Sequence, residues 1–422
     1  MRTSFSPAFF CLFSLLFFSL SLFGQEQLLD YKVISGPMPG HYTDSTASFW
    51  ILVQKKPVLQ KKNRLAHVLK ELEQEFSSIS YQDEPLWKNK RIVRVLAQKK
   101  PAITPQKDSF SFLTGSCAFQ YPLVLNMFGK RRRYNKIFNK MAQTDADFMV
   151  WTGDNVYYVL GQWNSYKGMV KKNLRSRERK PINKFLQSCP QYATWDDHDY
   201  GPNNSDANFP LKDTALNVFK KMWANPYYGE EDNPGVYSHF SQENCDFFLL
   251  DSRYYCIGDG PEEKRTLFGK KQMDWLKRQL KKAKGDFKFI FSGTQLWPKL
   301  DKGDHWDEFP AERQDFLDFL QKEDIKGVVV ISGDRHYSEL NCLKREADYP
   351  LYEYTCSPLT SFTDPYYSKE NDCREEGTFV RKQNYGLLTI LGQGLQRICR
   401  IQTFNRKGKL LWQREIALKD LQ

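Results

Sequence analysis

Six apolar runs of strand length in this 422-residue chain each stop on residues able to bind metal ions or phosphate. Phe112–Thr114 leads into Gly115-Ser116-Cys117, Phe148–Trp151 into Gly153-Asp154-Asn155-Val156-Tyr157, and Tyr192–Trp195 into Asp196-Asp197-His198-Asp199. Phe247–Leu250 leads into Asp251-Ser252-Arg253, Phe289–Ser292 into Gly293-Thr294-Gln295, and Val328–Ser332 into Gly333-Asp334-Arg335-His336. Asp154 and Tyr157 sit close enough for one turn to aim both at a single ion. A carboxylate can bridge two metals, and a phenolate favours a trivalent ion. With a thiolate from Cys117 and an imidazole from His336, trivalent iron suits the set best, zinc less well. Asp197 and Asp334 add oxygen donors of the kind that hold calcium, magnesium or manganese. His198, next to Asp197, is placed to protonate a leaving alkoxide. Arg253 and Arg335 offer bidentate clamps for phosphate oxygens. Asn204 either positions a ligand or holds the Asp197 loop. Each residue alone has a plain structural account, since an Asp after a strand often caps a helix and a lone Cys is usually a small buried hydrophobe. Six strand ends carrying compatible donors is not what capping produces.

The carboxyl ends of neighbouring strands in an open α/β sheet share one crevice, so these runs must be strands of a layered sheet with helices between them. Tyr134–Met141, Gln272–Leu280 and Glu312–Leu320 place apolar residues three and four apart, the helical period. From Ser109 onward the alternation predicts a largely parallel α/β domain, closed by a C-terminal meander over Leu387–Leu391, Arg397–Phe404 and Lys409–Ile416. Residues 29–105 lack the pattern. Tyr31–Ile34, Ala47–Val53 and Arg91–Leu96 read as strands, with Gly36-Pro37-Met38-Pro39-Gly40 as a turn between the first two, and together they suggest a small β-sandwich. Residues 64–76 have helical spacing and could form a helix or a strand pair. Lys99–Lys107, with Pro101 and Pro105, reads as the connection to the second domain.

A chain of 422 residues exceeds the roughly 250–300 that one core supports, so two domains are expected. Residues 1–24 read as a signal peptide: Arg2, an apolar stretch from Ala8 to Phe23, then Gly24. That stretch is short for a membrane span, and no later segment is apolar enough for one. The expectation is a secreted or periplasmic protein without a stable span after cleavage. The net charge of +12 steers anionic substrates or is a solvated basic surface. Its densest stretches, Lys130–Arg133 and Lys171–Lys180, carry no nucleic-acid motif, so no specific nucleic-acid partner is predicted, and the chain is expected to be monomeric. Export would permit disulfides; Cys245 with Cys256 and Cys342 with Cys356 are candidate pairs.

The ordered set of Gly-Ser-Cys, Gly-Asp-x-x-Tyr, Trp-Asp-Asp-His-Asp-Tyr-Gly-Pro-Asn, Asp-Ser-Arg and Ser-Gly-Asp-Arg-His resembles the alkaline phosphatase D (PhoD-like) family of metallophosphoesterases over residues 109–365. The resemblance implies a four-layer αββα catalytic domain over 108–422, preceded by an N-terminal β-sandwich of immunoglobulin or fibronectin type over 25–107. It implies an iron centre with calcium nearby. Cys117, Asp154, Tyr157 and His336 would bind the iron with Asp154 bridging, and Asp197 and Asp334 would hold the second metal. Hydrolysis of phosphate mono- or diesters would use a metal-activated water for in-line attack, with Asp154, His198 and Arg253 catalytic and Arg253, Arg335 and Asn204 binding the substrate. The wider group places a metal-binding histidine where Gln295 stands. A phosphate- or polyanion-binding protein that keeps the metal site without turnover is the competing reading.

Overall fold

The computed structural model describes residues 31–55, 64–100, 109–120, 130–299, 305–346, 348–363 and 371–422, and for 130–135 the backbone alone. The expected signal peptide, most of the Lys99–Lys107 connection and the side chains of the Lys130–Arg133 run lie outside the described residues. The chain divides into two compact units, one of Met1–Pro37 and Tyr42–Ile103 and the other of Met38–His41 and Thr104–Gln422.

In the N-terminal unit, β1 (Lys32–Tyr42), β2 (Thr46–Gln54), β3 (Ser78–Trp87) and β4 (Lys90–Gln98) form one sheet in the order β1-β2-β4-β3. Its second layer among the described residues is a helix, α1 (Leu65–Glu75), rather than another sheet. Leu65, Val68, Leu69 and Leu72 recur at helical spacing and bury against Ile51, Val53, Val93 and Val95. The turn expected at 36–40 is instead part of β1. Pro37 and Pro39 lack N–H donors, yet β1 is an edge strand, the one place in a sheet where that loss is tolerated. The chain reverses at Thr43–Thr46, where the Thr43 hydroxyl accepts from the amides of Ser45 and Thr46.

The second unit holds two six-stranded sheets. In the first, β5 (Ser109–Gly115), β6 (Phe148–Thr152) and β7 (Gln191–Thr194) run parallel, and β16 (Asn384–Leu391), β17 (Ile398–Asn405) and β18 (Leu410–Ala417) extend it as an antiparallel meander in the order β18-β17-β16-β5-β6-β7. Between β7 and the second sheet lies a short ribbon of β8 (Gly229–Glu230) and β9 (Asn233–Pro234). In the second sheet, β11 (Cys245–Leu249), β12 (Phe287–Phe291), β13 (Val328–Ser332) and β15 (Asp348–Thr355) are parallel, flanked by antiparallel β10 (Ser238–Gln242) and β14 (Glu339–Arg345). All six apolar runs are therefore strands. Several are buried at every position, which is why they read as continuous apolar runs rather than alternating ones.

Phenylalanines fasten the sheets face to face. Phe112 of β5 stacks on Phe148 of β6 at 5.3 Å and meets Phe247 of β11 edge-on at 5.5 Å. Such pairs contribute roughly 0.5–1.5 kcal/mol each beyond burial. Strand alternation turns Trp151 the other way, onto Phe138 of α2 (Lys130–Met141). Also in this part of the chain are α3 (Tyr166–Arg177), α4 (Lys180–Leu186), α5 (Asp197–Tyr200) and α6 (Lys212–Met222). On the second sheet, α7 (Lys270–Lys282) and α8 (Pro310–Lys322) bury Trp275, Leu276, Phe316 and Leu320 into the same core. The result is the four-layer αββα arrangement. The sheets touch at their carboxyl ends. A Cβ on Gly333, just past β13, would lie 2.3 Å from the Thr152 carbonyl oxygen of β6, and one on Gly293, past β12, 2.6 Å from that of Trp195.

Eight described cysteines are all free, so neither expected disulfide forms. Cys245 opens β11 while Cys256 lies beyond its far end. Cys342 is opposite Tyr352, and Cys356 follows Thr355, whose partner is Glu339. At about 3.3 Å per strand residue, both pairs exceed the Cα separation a disulfide allows.

Candidate metal centre

Left-handed backbone turns swing the donors off the strand ends. Cys117, Asp154, Asp334 and His336 have φ of 57°, 53°, 62° and 56°, a region that non-glycine residues rarely occupy and that costs on the order of 1–3 kcal/mol each. The surroundings hold them there. The Cys117 carbonyl accepts from the amides of Thr360 and Ser361, and that of Asp154 from Ala118. The His336 amide donates to the Ser357 hydroxyl at 2.9 Å, and the same hydroxyl donates to Cys117 Sγ at 3.1 Å.

Two groups of potential ligand atoms result, each within 4.8 Å of one another: Cys117, Asp154 and His336 in one, and Asp154, Asp197 and His198 in the other. Asp154 belongs to both, as a bridging carboxylate must. Tyr157 joins the first group, its hydroxyl 3.1 Å from His336 Nε2, and its ring lies 4.2 Å from that of His198. His198 is half-buried, the most open member of its group.

Buried carboxylates dominate the electrostatics of the site. Burial, then the charges of Asp197, Asp196, Asp199 and Asp334, push the Asp154 carboxyl well above the usual carboxylate range. Burial and the charge of Asp154 also raise the Cys117 thiol and the Tyr157 phenol. For Asp197, burial is outweighed by the charges of Arg253 and His198 and by the Asn204 amide, which donates to Oδ2 at 2.7 Å, and the carboxyl is held low. Asn204 thus holds the Asp197 loop through its backbone. Burial holds the His198 imidazole below its ordinary value against the pull of Asp197.

Arg253 is buried with its Nε on Asp196 at 2.5 Å, so it acts on the site through Asp196 and Asp197. Removing the guanidinium would strand a buried charge. Arg253→Met is expected to cost about 3–5 kcal/mol, read as a drop in the urea midpoint; a loss under about 1 kcal/mol would show that the pair does not carry the wall.

Asp334 is placed differently from the expectation. Its carboxylate lies outside both ligand groups, 3.8 Å from the Arg335 guanidinium, while its carbonyl accepts from Cys117 Sγ at 3.4 Å. Arg335 is half-buried and also donates to the Tyr337 hydroxyl at 3.4 Å. Gln295 is wholly buried, donating to Glu339 at 2.9 Å and Thr355 at 2.8 Å, a structural post behind the site. Trp223 is buried against Trp151 and Arg177.

Sequence reasoning missed the supports. Asp199 accepts from the amides of Asp154, Asn155 and Asp196 and from the Asn155 side chain at 2.6 Å, tying the β6 and β7 ends together. Burial raises its carboxyl to about 7. Asp251 accepts from Trp195 Nε1 at 2.6 Å and from the Arg253 amide at 3.0 Å. Both stood in the quoted motifs, but only the folded register shows what they hold.

These residues fit metal ions. Asp154, Asp196, Asp197 and Asp199 are all buried, the Arg253 guanidinium pairs with one of them, and Asp197 Oδ1 is buried without a hydrogen-bond partner. Like charges so confined need cations, and a cation inverts the cost of every anionic donor beside it. Comparison with known proteins agrees. The family model of PhoD-like phosphatase matches residues 112–398. Alkaline phosphatase D of Bacillus subtilis (strain 168) is 27% identical over 256 residues, 49% of this chain and 44% of that protein, so the match spans less than half of the curated relative. A solved structure described as that of PhoD superposes with a TM-score of 0.65 at 16% identity over 92% of both chains. Purple acid phosphatase PPD1 from yellow lupin (Lupinus luteus) seeds gives 0.54 at 10% identity over 92% of this chain and 74% of its own. At these identities the likenesses concern the fold, that of the metallophosphoesterases. The family match spans every strand end that builds the centre, and the chain belongs to the PhoD-like phosphatase family.

Proposed function

We propose that this chain is an exported, metal-dependent hydrolase of phosphate esters. The observation that carries the reading is the sharing of Asp154 between two ligand groups at one strand-end crevice. Cys117, Asp154, Tyr157 and His336 would hold one cation, and Asp154 and Asp197 the other, with Asp334 reaching it only by a shift of its carboxylate. Bound there, the pair supplies an acidified water and charge neutralisation on phosphate oxygens. The thiol and phenol favour iron at the first position and the carboxylates calcium at the second, with zinc, manganese or magnesium as substitutes. Arg253 keeps Asp196 and Asp197 in place. Arg335 and Asn204 lie beside the crevice and offer donors to the phosphate, and His198, the most open member of its ligand group, is placed to give a proton to the departing alkoxide.

The substrate class proposed is a phosphate mono- or diester, and the location proposed is secreted or periplasmic, a reading supported by the leader-like composition of residues 1–24. No helix among the described residues is long and apolar enough to cross a membrane. A chromogenic phosphate ester assayed before and after chelation tests the reading: activity should vanish with the metals and return with them. Phosphate binding without turnover in metal-replete protein would favour the binding-protein alternative. If the first cation is trivalent iron on a phenolate, the purified protein should be coloured, and Tyr157→Phe should remove the visible band. A band unchanged in that variant would take Tyr157 out of the ligand set.

A further inference from the structure

One exposed aromatic ring beside the centre has no part in the scheme above. Phe362 is 61% exposed, yet its ring stands edge-on against His336, with centroids 4.6 Å apart and planes at 79°. Half-buried Phe119 stands the same way against Tyr157, at 5.2 Å. Two donors of the first ligand group are thus each flanked by a phenylalanine.

Phe362 is not loosely tethered. The amides of Leu359, Thr360 and Ser361 donate to the carbonyls of Ser116 and Cys117 at 2.8, 3.2 and 3.0 Å. The Thr360 hydroxyl donates to the Phe119 carbonyl at 2.9 Å, and Gln383 Nε2 to that of Thr360 at 2.7 Å. The segment that carries the ring is therefore pinned to the backbone of a candidate ligand. A large apolar surface held in water at that place gains nothing for folding and is favourable once something covers it.

What covers it follows from position. A phosphate ester bound at the first ligand group would lie beside His336, whose ring centroid is 4.6 Å from that of Phe362, and its organic substituent would come within reach of the phenylalanine. A planar apolar substituent gains a stacked or edge-to-face contact with that ring; a small polyhydroxy one gains little. We propose that Phe362 is a specificity-determining residue that receives the organic group borne on the phosphate, so that esters with an aromatic group next to phosphorus are preferred over small polar aliphatic ones. The inference rests on the phosphoesterase reading above. Because the contact is made equally in the ground and transition states, its loss should appear in KM rather than in kcat.

The test uses the full chain with its native metals and two substrates, 1-naphthyl phosphate and glycerol 3-phosphate, each also as its ethyl diester. Comparing one substrate between wild type and variant cancels its intrinsic reactivity. Phe362→Ala should lower kcat/KM for the naphthyl ester about tenfold more than for the glycerol ester, through KM, and Phe362→Tyr should keep the preference. Should the alanine variant fold poorly, Phe362→Leu retains bulk without the planar face and should show the same shift. Equal losses on both substrates, or a fall confined to kcat, would make the ring a structural prop and overturn the proposal. A wild type that turns over neither series would instead retire the phosphoesterase reading, and this inference with it.

Discussion

Asp154→Asn is expected to bring phosphate-ester hydrolysis to background while leaving a protein that folds. The amide keeps the size of the carboxylate and one oxygen, so it can still accept from the His198 amide, now at 3.2 Å from Oδ1. It loses the charge that both ligand groups share. The deficit should exceed the roughly 10–100-fold typical of outer-shell partners, and metal analysis should show that at least one cation is lost or weakened. Stability moves the opposite way in metal-free protein. Burial and the neighbouring carboxylates raise the folded-state pKa of Asp154 above its ordinary 3.8. Its contribution is therefore fully present below that ordinary value and is lost as pH rises toward the folded pKa. Chelated wild type should weaken with rising pH above about 4, and the asparagine variant should show a shallower decline. Turnover by the variant within tenfold of wild type would end the shared-ligand assignment.

Gly333→Val should severely damage the second unit. Its first side-chain atom would meet the Thr152 carbonyl oxygen at 2.3 Å and Ser116 Cβ at 2.6 Å. Backbone cannot rotate aside as a long side chain does, so the two sheets must part where they touch. The cost should exceed the roughly 1–3 kcal/mol of ordinary overpacking, and soluble yield should fall with the urea midpoint. Even Gly333→Ala should lose activity out of proportion to stability, because the same movement separates His336 from Cys117 and Asp154. Gly258→Ala is the control, with nothing within 4 Å of the added carbon and an expected change within about 0.5 kcal/mol. Wild-type activity and midpoint in Gly333→Ala would show that the sheets do not depend on this contact.

Much of the catalytic domain was legible because its strands are buried on both faces. That burial leaves uninterrupted apolar runs, and all six proved to be strands. Three amphipathic helices, α2, α7 and α8, were equally plain from their period, whereas α6 went unread. The N-terminal unit was harder to read. Pro37 and Pro39 look like a turn in sequence, and only the edge position of β1 makes them admissible in a strand. The exposed, alternating β3 gave too weak an apolar signal to be found. Within the centre, Cys117, Asp154 and His336 were found by donor type and do converge. The displaced carboxylate of Asp334 and the tie formed by Asp199 depend on left-handed turns and on register between distant strands, and neither leaves a mark in local sequence.

Donors to the first ligand group come from both sheets: Cys117, Asp154 and Tyr157 follow strands of one, and His336 follows β13 of the other. The centre is therefore a caliper whose jaws are the two layers. Slippage of one layer across the other, whether from a trimmed phenylalanine deep in the sandwich or from heating, would change the gap between jaws before it exposed any core. Substitutions far from the ions can thus detune chemistry without unfolding the protein, and the tightness of ion binding becomes a readout of how well the two layers stay in step.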